Sequence, residues 1–193
     1  MDAWFASDDL DGPFAFERIC DALDLDELAP QQWWRKDAKL DAQITARFEP
    51  THTAAARGEF FTWRATAEGR LAEIIVLDQL SRHIYRDTPR AFAYDSVALV
   101  LAQEAIARRA DRELPPPRRS FMYMPFMHSE SLLIHDRAVE LFRQPGLEGD
   151  LEYELKHKRI IERFGRFPYR NAILGRPSTT DEGEFLKRPD SAF

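Results

Sequence analysis

Gly69–Arg86 reads GRLAEIIVLDQLSRHIYR. The first half is apolar almost all round, which predicts a central helix buried on every side. The second half turns ionic. On a 3.6-residue period Leu71, Ile75, Asp78, Arg82 and Tyr85 or Arg86 share one line, and Asp78 and Arg82 stand i, i+4 and can pair. If that line faces the core, its charges must be paired and hydrogen-bonded. With helical signals along the rest of the chain, the fold class expected is all-α.

The flanking sequence agrees. Upstream, Lys36–Glu49 carries Leu40, Ile44 and Phe48 on one helical face; Pro50 is expected to stop that helix, and Thr51 to cap another running toward Trp63. Downstream, Thr88-Pro89 reads as N-cap and first residue of an Ala- and Leu-rich helix reaching about Arg109. Leu114-Pro115-Pro116-Pro117 reads as an extended linker, and Pro125 as the start of a helix reaching Arg143. Gln144–Gly149 is a turn before a helix Leu151–Phe164 capped by Asp150, and Thr179-Thr180-Asp181-Glu182 matches a capping box. Strand patterns are nearly absent. The expectation is one domain of about eight helices in antiparallel pairs, without the regular spacing of a tetratricopeptide array. It divides into residues 1–32, whose fold the pattern leaves open, a helical body over 33–186 and a tail over 187–193.

Composition narrows the function. A chain of 193 residues buries roughly 70% of its unfolded surface and needs no disulfide or metal to stand. Cys20 is its one cysteine, which fits a reducing cytoplasm and rules out an intrachain disulfide. The acidic start, MDAWFASDDLDG, is no signal peptide, and the longest apolar run, Ile74–Leu77, is far too short for a membrane span. A net charge of −6 and a pI near 5.4 argue against nucleic-acid and anionic-membrane partners. No Walker loop, dinucleotide fingerprint, nucleophile elbow or HExxH motif occurs, and no cofactor is expected.

Polar residues without a packing reason mark the candidate site. In RFGRFPYRN, Arg163–Asn171, the glycine and proline mark a break after a helix, and Arg163 favours the negative end of that helix. Arg166, Arg170 and Asn171 then remain, and a forked guanidinium pair with an amide suits a carboxylate or phosphate. His128 and Glu130 lie just after Pro125, whose position at a helix start would leave backbone N–H groups free for an anion. His135 and His157 fall on apolar stripes and read as packing histidines. His128 and His135 stand seven residues apart, roughly 10 Å of helical rise, too far to share one metal ion; no metal is expected.

Three segments, LDQLSRHIYRDTPRAF (Leu77–Phe92), YMPFMHSE (Tyr123–Glu130) and HKRIIERFGRFPYRNAILGR (His157–Arg176), together resemble the bacterial domain-of-unknown-function family nine-two-four, placed among tetratricopeptide-like folds. WWRKDAKLDAQITARF (Trp33–Phe48) is similar to that family's beginning. The resemblance implies an all-helical cytoplasmic protein and supplies no reaction, cofactor or catalytic residue.

The leading expectation is a binding module for an acidic peptide end or small anionic ligand. Asp78, Gln79, Arg82, His128, Glu130, Arg166, Arg170 and Asn171 would form its polar cluster. Its rival is a hydrolase-type enzyme in which His128 works with Glu130 or Asp78 on an arginine-held substrate. A third reading makes the cluster a buried ionic network that only locks helices together. An enzyme requires His128 beside a carboxylate and open to a cavity. A binding module requires an open groove lined by the arginines.

Overall fold

The computed structural model describes residues 36–189 and Ser191. The expectations for residues 1–32, Trp33, Trp34 and Cys20, and for the tail at 190, 192 and 193, lie outside the described residues. Within them are seven helices and no strand. They are α1 (Ala38–Ala56), α2 (Ala67–Ile75, a π turn at Val76–Leu80, then Ser81–Ile84), α3 (Asp95–Ala107), α4 (Pro116–Met127), α5 (Leu132–Phe142), α6 (Glu148–Phe164) and α7 (Thr180–Phe185).

Helix α2 is the axis, as its composition predicts. Leu71, Ala72, Ile74, Val76, Leu77 and Leu80 are fully buried, and α1, α3 and α4 all pack on it. Its entry is fixed by Thr66, whose hydroxyl accepts from the Gly69 N–H at 3.0 Å. A Cβ at Gly69 would lie 2.0 Å from the Trp63 carbonyl oxygen, so only glycine lets this turn close. Helices α4, α5 and α6 follow one another through short connections and pack in sequence, as antiparallel neighbours do. A smaller core of Ile160, Ile161, Phe167 and Phe185 gathers the end of the chain onto α6. No helix among the described residues is long and apolar enough to cross a membrane.

Five boundaries differ from expectation, each for a physical reason. Asp150 caps nothing: α6 already starts at Glu148, and Asp150 lies in its first turn, where a carboxylate suits the positive end of the helix. Pro50 lies inside α1 and does not end it, so Thr51 caps nothing and is buried mid-helix. Pro50 and Ala46, whose carbonyl loses its N–H partner, both face solvent, so water can take that hydrogen bond. The proline run is a helix start and not a linker, with Pro116 and Pro117 in the first turn of α4. There their missing N–H groups are orphans in any case. Pro125 sits near the end of that same helix, so the expected free N–H groups beside His128 do not exist. Thr88-Pro89 begins a 3₁₀ turn, Pro89–Phe92, and α3 starts only at Asp95.

Candidate functional site

The π turn of α2 carries Asp78 and Gln79 into the space under α4. A π turn displaces the regular backbone ladder, and here side chains serve two of its carbonyls. Ser81 Oγ donates to Leu77 O at 2.5 Å and Arg82 Nη1 to Asp78 O at 2.7 Å. His128 arrives from the C-cap of α4. Its Nδ1 lies 2.7 Å from Asp78 Oδ1. Gln79 Nε2 donates to the other Asp78 oxygen and lies 3.6 Å from Met124 Sδ. Arg82 Nη1 stands 3.3 Å from Asp78 Oδ1 and forks onto Asp95 at 3.0 and 3.1 Å.

Arg170 completes the cluster from beyond α6. It donates to Asp95 Oδ2 at 3.0 Å and to the His128 carbonyl at 3.1 Å. Its guanidinium carbon lies 4.5 Å from the Phe92 ring centre and 4.7 Å from that of Phe167. Two aromatic faces and a carboxylate hold this cation against the core. Asp95 thus binds two arginines that lie far apart in the sequence.

The electrostatics give the pair its protonation states. Burial pushes the Asp78 carboxyl up, but Arg82 and His128 beside it outweigh burial and hold it low. Asp78 is therefore ionised and accepts, so His128 Nδ1 carries the proton and Nε2 the lone pair. Burial, then Arg82, pushes His128 below the ordinary histidine value, against the pull of Asp78. The result is a neutral imidazole oriented by a carboxylate. Its side chain is 11% exposed, against 1% for Asp78, so of the two only His128 can meet a ligand.

His128 does line a cavity of about 340 Å³. Pro89, Phe92, Leu99, Pro125 and Leu174 give it apolar walls, and Asp95, Ser96, Ser129, Glu130 and Arg170 its polar ones. A second cavity of the same volume lies beside Arg109 and Gln144, away from this chemistry.

The eight residues expected in the site divide. Asp78, Gln79, Arg82, His128 and Arg170 form one bonded cluster. Glu130 lines the cavity but is committed elsewhere: it takes Arg176 on both oxygens, at 2.6 and 2.9 Å, and the Phe167 N–H at 2.8 Å. Asn171 bonds Arg176 and Ser178 and reaches the site only through Arg176. Arg166 is outside it, forked onto Glu182 at 2.6 and 2.8 Å. Three participants carry no sequence signal of their own. Asp95 and Phe92 look like ordinary residues at helical starts, and Arg176 closes a motif without standing out from it. The packing histidines read as expected. His135 is fully buried, with its ring nitrogens 2.8 Å from Glu154 and from the Ser129 carbonyl. His157 lies in the core with Nδ1 2.8 Å from the Tyr153 carbonyl.

Fold and site together define a class: an all-helical domain with a carboxylate-oriented histidine at the edge of a small cavity. Residues 1–190 match the family described as "Bacterial protein of unknown function (DUF924)", and the chain belongs to it. A solved structure of a protein of unknown function from Agrobacterium tumefaciens is similar, with a TM-score of 0.79 and 38% identity. The match covers 87% of this chain and 98% of that one. No curated protein matches.

Proposed function

We propose that the cavity at His128 takes a small, largely uncharged molecule, and that the Asp78–His128 pair moves a proton to or from it. One observation carries this reading: His128, tied through Nδ1 to a buried carboxylate at 2.7 Å, lines a cavity of about 340 Å³. A neutral imidazole with a free Nε2 is a general base, and its conjugate acid returns the proton; the neighbouring carboxylate steadies the imidazolium between the two steps. Hydrolysis is the simplest use, with His128 drawing the proton from an attacking water and delivering it to the leaving group.

Charge favours this reading over anion recognition. Arg82 and Arg170 sit on Asp95, Arg176 on Glu130 and Arg166 on Glu182. An anionic ligand would have to displace a carboxylate that the chain already supplies. The apolar walls fit a molecule with a hydrocarbon part. The cytoplasmic setting expected from cysteine usage belongs to the same proposal.

The test is turnover of a panel of small neutral esters, amides and lactones by the full chain and by His128→Gln. General acid–base catalysis contributes about 100-fold or more, so a substrate consumed by the native protein should be lost by that factor in the variant. Equal rates in the two proteins would remove His128 from the chemistry.

A further inference from the structure

We propose that the second cavity, at the C-terminal end of α3, is a separate binding site for a phosphate-bearing small molecule. It encloses about 340 Å³ and includes Arg109, Arg112 and Arg137 in its lining, with Asp111, Glu140 and Gln144. Its polar floor is held in place by hydrogen bonds. Asp111 Oδ2 accepts from the Tyr123 hydroxyl at 2.7 Å, and its carbonyl accepts from Arg119 at 2.9 Å. The Gln144 side-chain oxygen accepts from Arg119 at 2.9 Å, and its nitrogen donates to Tyr123 and to the Leu141 carbonyl. The floor is therefore fixed in place, and the lining sets two carboxylates, Asp111 and Glu140, against three guanidinium groups.

The rim differs. The guanidinium groups of Arg109 and Arg112 have no hydrogen-bond or ion-pair partner among the described residues. Arg137 uses one nitrogen on Glu140 at 2.6 Å. The arginines around the first site are engaged by carboxylates, whereas two unused forks and a partly used one meet at this cavity. A tetrahedral oxyanion accepts several guanidinium donors at once.

The backbone supplies a second, independent observation. Arg109 follows the last residues of α3 with φ 64°, in the left-handed region, and its N–H bonds the Ile106 carbonyl at 2.9 Å. That position closes a helix and strongly prefers glycine. A long side chain is strained there, although its positive charge suits the negative end of the helix. Neighbouring Arg108 pairs with Glu104, whereas the left-handed turn sends Arg109 to the cavity.

The experiment compares thermal stability of the full chain, Arg109→Gly and Arg112→Gln, each titrated with inorganic phosphate and with pyrophosphate against chloride at matched ionic strength. A bound ligand raises stability in a saturable way. The native chain should show a saturable upward shift beyond the chloride control. Arg109→Gly, relieved of a strained conformation, should start at least as stable and lose that shift; Arg112→Gln should weaken it severalfold. A native chain that responds no differently to phosphate than to chloride overturns the proposal. So does an equal shift in the variants, and if Arg109→Gly does not fold, Arg112→Gln decides.

Discussion

At the scale of the residue, two side chains show how packing and charge decide what the sequence tolerates. Gly69 stands against the Trp63 carbonyl, so Gly69→Ala must push backbone on backbone. It should destabilise the fold by about 3 kcal/mol, at the upper end of overpacking costs, read as a lowered urea midpoint. Asp78 is the other. Asp78→Asn removes a buried charge that holds His128, Gln79 and Arg82. Loss of buried partners of this kind costs about 1–3 kcal/mol. It should also drop the His128 titration further below its ordinary range, because the main group stabilising its cation is gone and only the weaker pull of Asp95 remains; an NMR pH titration reads this directly. The Asp78–Arg82 pair was legible in the sequence because i, i+4 spacing puts both on one helical line. Asp95 was not, because its partners Arg82 and Arg170 lie 13 and 75 residues away and no periodicity links them.

At the scale of the element, local chemistry was legible wherever it closes on itself. Thr179 accepts from Glu182 N at 3.2 Å, and the Glu182 carboxylate takes the Thr179 N–H at 2.7 Å, so the capping box forms as its spacing predicts. Thr179→Ala should cost about 1 kcal/mol and raise hydrogen exchange in α7 first. Prolines were not legible in the same way. Whether Pro50 ends a helix depends on whether its broken hydrogen bond faces water, and that is settled by tertiary packing. Because the bond is solvent-facing, Pro50→Ala should leave α1 intact and stabilise the protein by up to about 3 kcal/mol, the difference in helix propensity. The π turn has no sequence signature either, yet it is the feature that seats Asp78 and Gln79 beneath α4.

At the scale of the whole molecule, buried histidines tie stability to pH. Burial, then Arg90, pushes His52 down to about 4, and burial chiefly pushes His157 down to about 3, from an ordinary 6.5. The unfolded chain takes up both protons as pH falls through 6.5; the folded chain does not until far lower. The unfolded state therefore binds more protons in that window, and the stability present above it drains away as pH falls toward 4 and 3. Glu154 and Asp150, pushed up by burial, work the other way, while His83 and His128, also pushed down by burial, add to the loss. Urea midpoints should be flat above the ordinary histidine range and fall below it, with each histidine contributing about 1.4 kcal/mol per pH unit. What the fold accomplishes as a whole is to bring α2, α4 and the segment after α6 around one imidazole. The most direct measurement is a long-range proton–nitrogen NMR spectrum of His128 in the full chain at neutral pH. A neutral ring with the proton on Nδ1 and a bare Nε2 is the predicted result. A charged ring, or a neutral one with its proton on Nε2, would contradict the account.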